Sequence, residues 1–292
     1  MGANDHFSRP AFFPFAATPR PTSRNGRSPL GSRASSRLAR ASEKRRARMG
    51  AVELDRLTWP EVRAEQERGR DTVVIALGAT EQHGPHMPLA TDALLGDHLA
   101  RMVAERLDAF VAPTVRIGCS EHHLEFPGTL SLSDGTFHAV VADIVRSLAR
   151  GGFARVVLLP THGGNFGPLA TALELLGPQH DIEVRALTDL GALFTIAQLG
   201  ADEHGVPLGE GGVHAGEWET SMLIAIHPEL VHSDRGEPGY TGDPQAAVGA
   251  IFGEGVHAVS QNGVIGDPSR ASAEHGARYW DEVLNLTLAA IG

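Results

Sequence analysis

The chain has 292 residues, 42% of them hydrophobic and 21% charged, the composition of an ordinary globular protein with no apolar run near the roughly 18 residues of a membrane span. Its single cysteine, Cys119, excludes an intrachain disulfide and any paired-cysteine zinc framework, and suits a reducing, cytoplasmic setting. The net charge of −10 is unevenly placed: residues 1–48 carry ten Arg and Lys44 against Asp5 and Glu43, whereas residues 49–292 carry fourteen Arg against 33 acids, a net of −19 that excludes the body as a nucleic-acid binder.

Residues 1–48 are rich in Arg, Ser and Pro and show no sustained period, so they are expected to form a disordered basic extension. Three readings stand for it: an over-long start with Met49 as the working initiator, an organellar targeting segment, or a basic tail for an anionic partner. Residues 49–292 then read as one domain. "TVVIAL" (72–77) reads as a buried strand, followed by an amphipathic helix over 92–107 and a strand over 110–115. A helix over 136–152 ends at two glycines, and "ARVVLLP" (154–160) is the next strand. A helix over 166–177, a strand over 182–187, a helix over 217–227 and a closing helix over 267–291 complete the series. Strands alternating with long helices predict an α/β fold, a mostly parallel sheet covered on both faces.

In such sheets functional groups gather beyond the carboxyl ends of the strands. Glu81 and His83 follow the strand 72–77, and His162 follows the strand 154–160, so two strands deliver metal-type side chains to one edge. Glu81 and His83 stand at i and i+2, which puts both on one side of an extended segment. Asp92 opens the next helix, where a helix cap is the competing reading. A third cluster, "GEGGVHAGEWETS" (209–221), brings Glu210, His214, Glu217 and Glu219 out of a glycine-rich loop into a helix. It has no phosphate-loop pattern, and its acids would repel phosphate, so its glycines imply a flexible or closely packed loop facing a cation. Carboxylates mixed with imidazoles suit zinc, manganese or iron.

These motifs resemble the creatininase family over residues 52–291. "LGATEQHGPHMPLATD", "FPGTLSL" (126–132), "THGGN" (161–165), "HAGEWETS" (214–221) and "GVIGDPSRASAEHG" (263–276) match in order. The resemblance implies a three-layer α/β/α sandwich, a homo-oligomer (a hexamer in the family), and two divalent metal ions per subunit. By position, Glu81 and His162 would hold one metal and His83 the other, with Asp92 bridging. Creatininase proper takes a further ligand from a glutamate at the position of Gly164, so a replacement acid is needed; Glu219 is the first choice and Glu217 the second. His214 matches the family's mobile histidine and is assigned as proton shuttle.

The resemblance does not extend to the contacts that hold creatinine itself, because the family's aromatic and acidic contacts fall on Glu210, Gly211 and Gly163. Ser120, Glu121, His122 and His123, which leave the strand 110–115, are candidate substrate contacts, together with Glu210. Cys119 lacks an identifiable base and is not expected to act as a nucleophile. Three functions follow from the resemblance. The first is metal-dependent hydrolysis of a small cyclic or N-acyl amide; the others are peptide-bond cleavage, as in the relatives that trim the mycofactocin precursor, and a non-catalytic metal-binding scaffold.

Overall fold

The computed structural model of the protein describes residues 50–179 and 181–292. The expectation for residues 1–48 falls outside them. Five strands form one sheet: β1 (Val52–Glu53), β2 (Thr72–Leu77), β3 (Phe110–Val111), β4 (Arg155–Pro160) and β5 (Glu183–Ala186). Their order is β1-β3-β2-β4-β5 and every pairing is parallel. β2 and β4 run together from Thr72↔Arg155 to Leu77↔Pro160 at the centre. Every residue of β2 is buried, as a strand covered on both faces requires.

The helices are α1 (Trp59–Glu67), α2 (Thr91–Leu107), α3 (Asp134–Arg150), α4 (Phe166–Leu176), α5 (Gly191–His204), α6 (Leu208–Gly211), α7 (Glu217–Ile226), α8 (Pro244–Glu254), α9 (Val256–Val259) and α10 (Ala273–Ile291). Strand alternation sorts them into two layers. Val74, Ala76, Val157 and Leu159 face the core shared with α2, α5, α7 and α10. Val73, Ile75, Leu77, Val156 and Leu158 face the core shared with α3 and α4, with Val62 of α1 at its edge. The fold is therefore the three-layer α/β/α sandwich. No described helix is long and apolar enough to cross a membrane.

Two predicted elements are shorter by four residues or more. The strand 110–115 pairs as a ladder only at Phe110–Val111, because Pro113 has no N–H to donate; Val115 rejoins Leu77 as an isolated bridge. The closing helix starts at Ala273 rather than 267, since extended Ser272 caps it through the His275 N–H and a 3₁₀ turn over Pro268–Arg270 precedes it. The helices α1, α5 and α8 were not expected. Glycines at 191, 200, 249 and 253 dilute the helical signal of the latter two. α1 is nine residues long and buries none of them, and the capping box between Thr58 and Glu61 fixes its start.

Candidate metal centre

The chain reverses its direction of progress across the sheet at β2: β3 lies to one side and β4 to the other. This is the topological switch point, and the segments leaving β2, β3 and β4 meet there. Asn165 fastens the three ends. Its side-chain oxygen accepts the Cys119 N–H at 2.9 Å, and its amide donates to the carbonyls of Leu77 (2.9 Å) and Gly78 (3.0 Å).

Three overlapping groups of metal-type side chains assemble in this crevice, all buried: Glu81, Asp92 and His162; Glu81, His123 and His214; and His83, His214 and Glu219. Asp92 links the first to the last: its Oδ2 lies 3.2 Å from His162 Nδ1, and its Oδ1 lies 3.3 Å from His83 Nε2. Glu81 Oε1 is 3.2 Å from His162 Nδ1, and Glu219 Oε1 is 3.6 Å from His83 Nε2. Each histidine turns one nitrogen inward because a main-chain carbonyl takes the other. His83 Nδ1 donates to Glu81 O (3.2 Å), His162 Nε2 to Cys119 O (3.1 Å), and His214 Nε2 to Gln82 O (2.8 Å). Such carbonyls fix the tautomer and aim of a metal-ligating imidazole.

The electrostatics fit a cation. Burial opposes charge on His83, yet Asp92 and Glu219 outweigh it and hold its pKa well above the ordinary imidazole value. His162 is raised in the same way, against burial, by Glu81 and Asp92. Asp92, despite burial, is held well below the usual carboxylate range by His83 and His162. The carboxylates around both imidazoles therefore favour positive charge in this crevice. Glu81 Oε2, His83 Nε2 and Asp92 Oδ2 are buried without a hydrogen-bond partner, an arrangement that ligand atoms tolerate and structural polar groups avoid. His214 differs: burial, then the neighbouring charge on His83, lowers it to about 4, so it is neutral near pH 7.

Several expected substrate contacts have other partners. His123 is buried with Nε2 3.4 Å from Glu81 Oε1, inside the carboxylate cluster, and Ser120 is buried with its hydroxyl 3.3 Å from His162 Nε2. Glu121 lines an adjoining outer pocket, whereas His122 lines the pocket over the centre. Glu210 turns to Arg270 at 3.7 Å and does not line that pocket. Glu217 stands apart from all three groups, its carboxylate accepting hydrogen bonds from Ser221, His275 and Tyr279. His86, without an assigned role in the sequence, is buried against Thr220 of α7 (2.9 Å), and burial, then His83, lowers it to about 4. Gln82 went unassigned. It borders the cluster, where its amide nitrogen lies 3.1 Å from His123 Nδ1 and 2.9 Å from His214 Nε2 and donates to Gly263 O at 3.2 Å. Its place between two candidate ligands was the available signal.

The glycine-rich loop is closely packed. Val213 N–H donates to Ile265 O and Ile265 N–H to His214 O, and a Cβ on Gly212 (φ +69°) would lie 1.9 Å from Ile265 O. The "GVIG" and "GEGG" segments therefore hold His214 between them. Ala215, in the left-handed region at φ +52°, turns its N–H onto Glu219 Oε2 at 2.6 Å and aims the other carboxylate oxygen at His83. Gly164 cannot carry a ligand: a Cβ there would meet Cys119 O at 2.2 Å and His162 Nε2 at 2.5 Å. Gly164→Ala is expected to destabilise the protein by about 1–3 kcal/mol, because backbone must move to admit the methyl group. Urea unfolding measures it, and an unchanged midpoint would show that the contact relaxes freely.

A buried carboxylate–imidazole centre at the switch point of an α/β/α sandwich has the donor set of a metal-binding protein. The comparisons narrow the class. The sequence model of creatininase, described as creatinine amidohydrolase, matches residues 55–291. A mycofactocin precursor peptide peptidase of Mycolicibacterium smegmatis is 34% identical over 221 residues, 73% of this chain and 81% of that protein. The creatinine amidohydrolase of Pseudomonas putida is 32% identical over 201 residues, 63% of this chain and 75% of that one. A solved manganese creatininase superposes with a TM-score of 0.69 at 29% identity, covering 82% of this chain and 97% of the other. The chain belongs to the creatininase family of hydrolases.

Proposed function

We propose that this protein hydrolyses a C–N amide bond with two divalent metal ions, zinc, manganese or iron, held between Glu81, His162, His83 and Glu219 with Asp92 shared. The observation that supports this most is Asp92, whose two oxygens face the two imidazole groups separately. Bound there, two such ions would supply Lewis acidity to the amide carbonyl and lower the pKa of water toward neutrality. The chain's own residues do the rest. The carbonyls of Glu81, Cys119 and Gln82 keep the imidazoles aimed. His214, neutral near pH 7, would take a proton from the attacking water at Nδ1 and deliver it to the leaving nitrogen. Val213 and Trp218 help to enclose the reacting bond and reduce its contact with water.

A small cyclic or N-acyl amide is the substrate class we favour first. A peptide is the second reading, supported by Gly163, where a Cβ would meet nothing within 4 Å and the pocket stays open to a larger group. Metal analysis joined to a panel of lactams, hydantoins, creatinine, N-formyl compounds and short peptides tests both. The expected result is metal-dependent turnover, reduced about a hundredfold or more in His214→Ala with metal retained. A protein purified without chelator that contains no metal would overturn the reading and leave a scaffold. We extend it to a cytoplasmic homo-oligomer, whose subunit number light scattering reads directly.

A further inference from the structure

The pocket above the centre has a polar floor and apolar walls. Its floor carries Glu81, Asp92, His162 and Glu219; its walls carry Leu190 and Phe194 from around the start of α5, and Val248, Ile251 and Phe252 from α8. Phe252 is 53% exposed, and its ring stands 4.7 Å from that of His122 at the mouth. Beyond this pair a second pocket begins, sharing His122, Gly164, Ile251 and Phe252 with the first. The floor is open at Gly163, whose backbone lies outside the left-handed region, so a Cβ there meets nothing within 4 Å and no backbone strain.

These walls offer little to a small polar amide. A compact heterocycle with several hydrogen-bonding groups would leave any that face Leu190, Phe194, Val248 and Ile251 unpaired, at the cost of their lost hydration. An aliphatic or aromatic group has the opposite balance: it covers the same wall and is withdrawn from water. We propose that the collar formed by α5 and α8 is a specificity site for an apolar group attached next to the scissile amide, and that Gly163 keeps open the space this group enters. The inference rests on the amide-hydrolase reading above and adds the chemical class of the substituent. Phe194, Val248 and Phe252 are its specificity-determining side chains.

The test uses the metal-containing protein and two matched series. The first is amides of one amine with formyl, acetyl, butyryl and phenylacetyl groups, together with acetamides of amines of the same graded size. The second is the hydroxamates of those four acids, read as binding by calorimetry. In one of the amide series kcat/KM is expected to rise about ten- to a hundredfold from the smallest to the largest apolar group, and hydroxamate binding to tighten in parallel. Gly163→Phe, which fills the open space, and Phe252→Ser are each expected to flatten that slope by tenfold or more with metal content unchanged. Flat or inverted slopes in both amide series overturn the proposal, as do slopes that neither variant alters. Absence of turnover on every amide sinks the hydrolase reading instead. The hydroxamates still decide the collar in that case: tightening with tail size supports an apolar site, and uniform binding rejects it.

Discussion

Asp92→Asn, purified without chelator, is expected to carry markedly less metal than the wild type and to lose amide turnover by roughly a thousandfold or more. The change keeps the side chain's shape and removes its charge. Asp92 lies within 3.3 Å of both His83 and His162, so neutralising it weakens both halves of the centre together. Proton release gives a second readout that a merely misfolded variant would not reproduce. With their pKa values well above the ordinary imidazole value, His83 and His162 are protonated in the metal-free protein at neutral pH. A metal that takes their inner nitrogens must displace those protons, so its apparent affinity rises with pH until the raised pKa values are passed. Zinc added to the metal-free wild type in weak buffer should therefore release protons, and Asp92→Asn should release fewer because a carboxylate that raised both pKa values is gone. The stability of the metal-free protein follows the same sign. Pairing of the two imidazolium groups contributes fully below the ordinary imidazole pKa and is lost as pH rises through the raised values. Unchanged metal content in Asp92→Asn would overturn the two-metal assignment.

Glu217→Gln tests the other acid of the third motif, with the opposite pattern of results. Its expected effect is a loss of about 3 kcal/mol in unfolding free energy with metal content retained. The fully buried carboxylate accepts from Ser221 Oγ (2.8 Å), His275 Nδ1 (2.7 Å) and Tyr279 Oη (2.7 Å). An amide offers one oxygen and turns two N–H donors toward groups that already donate. Burial, then the hydrogen bond to Glu217, raises the Tyr279 hydroxyl pKa, so Tyr279 keeps its proton and donates it. Around this network α10 lies close on α7: a Cβ on Gly276 would meet Ser221 O at 2.0 Å, and Trp280 Nε1 donates to Met222 O at 3.0 Å. α7 carries Glu219 two residues beyond Glu217, so the anchoring of one acid sets the place of the other. Urea unfolding and elemental analysis of one preparation separate the possibilities. Loss of metal in Glu217→Gln without loss of stability would return Glu217 to the ligands.

The contrast between Glu217 and Glu219 shows what was legible in the sequence. Both acids occupy the same motif and the same first helical turn, and local pattern ranks them only by resemblance. The decision comes from Ala215, whose N–H holds Glu219, and from His275 and Tyr279, which reach Glu217 from a helix about sixty residues later. Ser120 and His123 illustrate the same limit. Their position after β3 placed them at the correct edge, but only the packed loop shows that they face His162 and Glu81. The apolar walls were less visible still, because the glycines within α5 and α8 masked both helices.

By itself the sequence determined the alternation of buried strands and amphipathic helices, the delivery of Glu81, His83, Asp92 and His162 to one edge of the sheet, and the loss of any side chain at Gly163 and Gly164. These features are local: they follow from apolar periodicity, from the direction of a parallel strand, and from residue type at a given position. The tertiary structure alone decided which oxygen of Asp92 faces which imidazole, which nitrogen each histidine turns inward, and which acid completes the group around His83. It also decided which side chains wall the pocket. Those outcomes depend on hydrogen bonds and contacts between segments far apart in the chain, and no period or spacing within one segment encodes them.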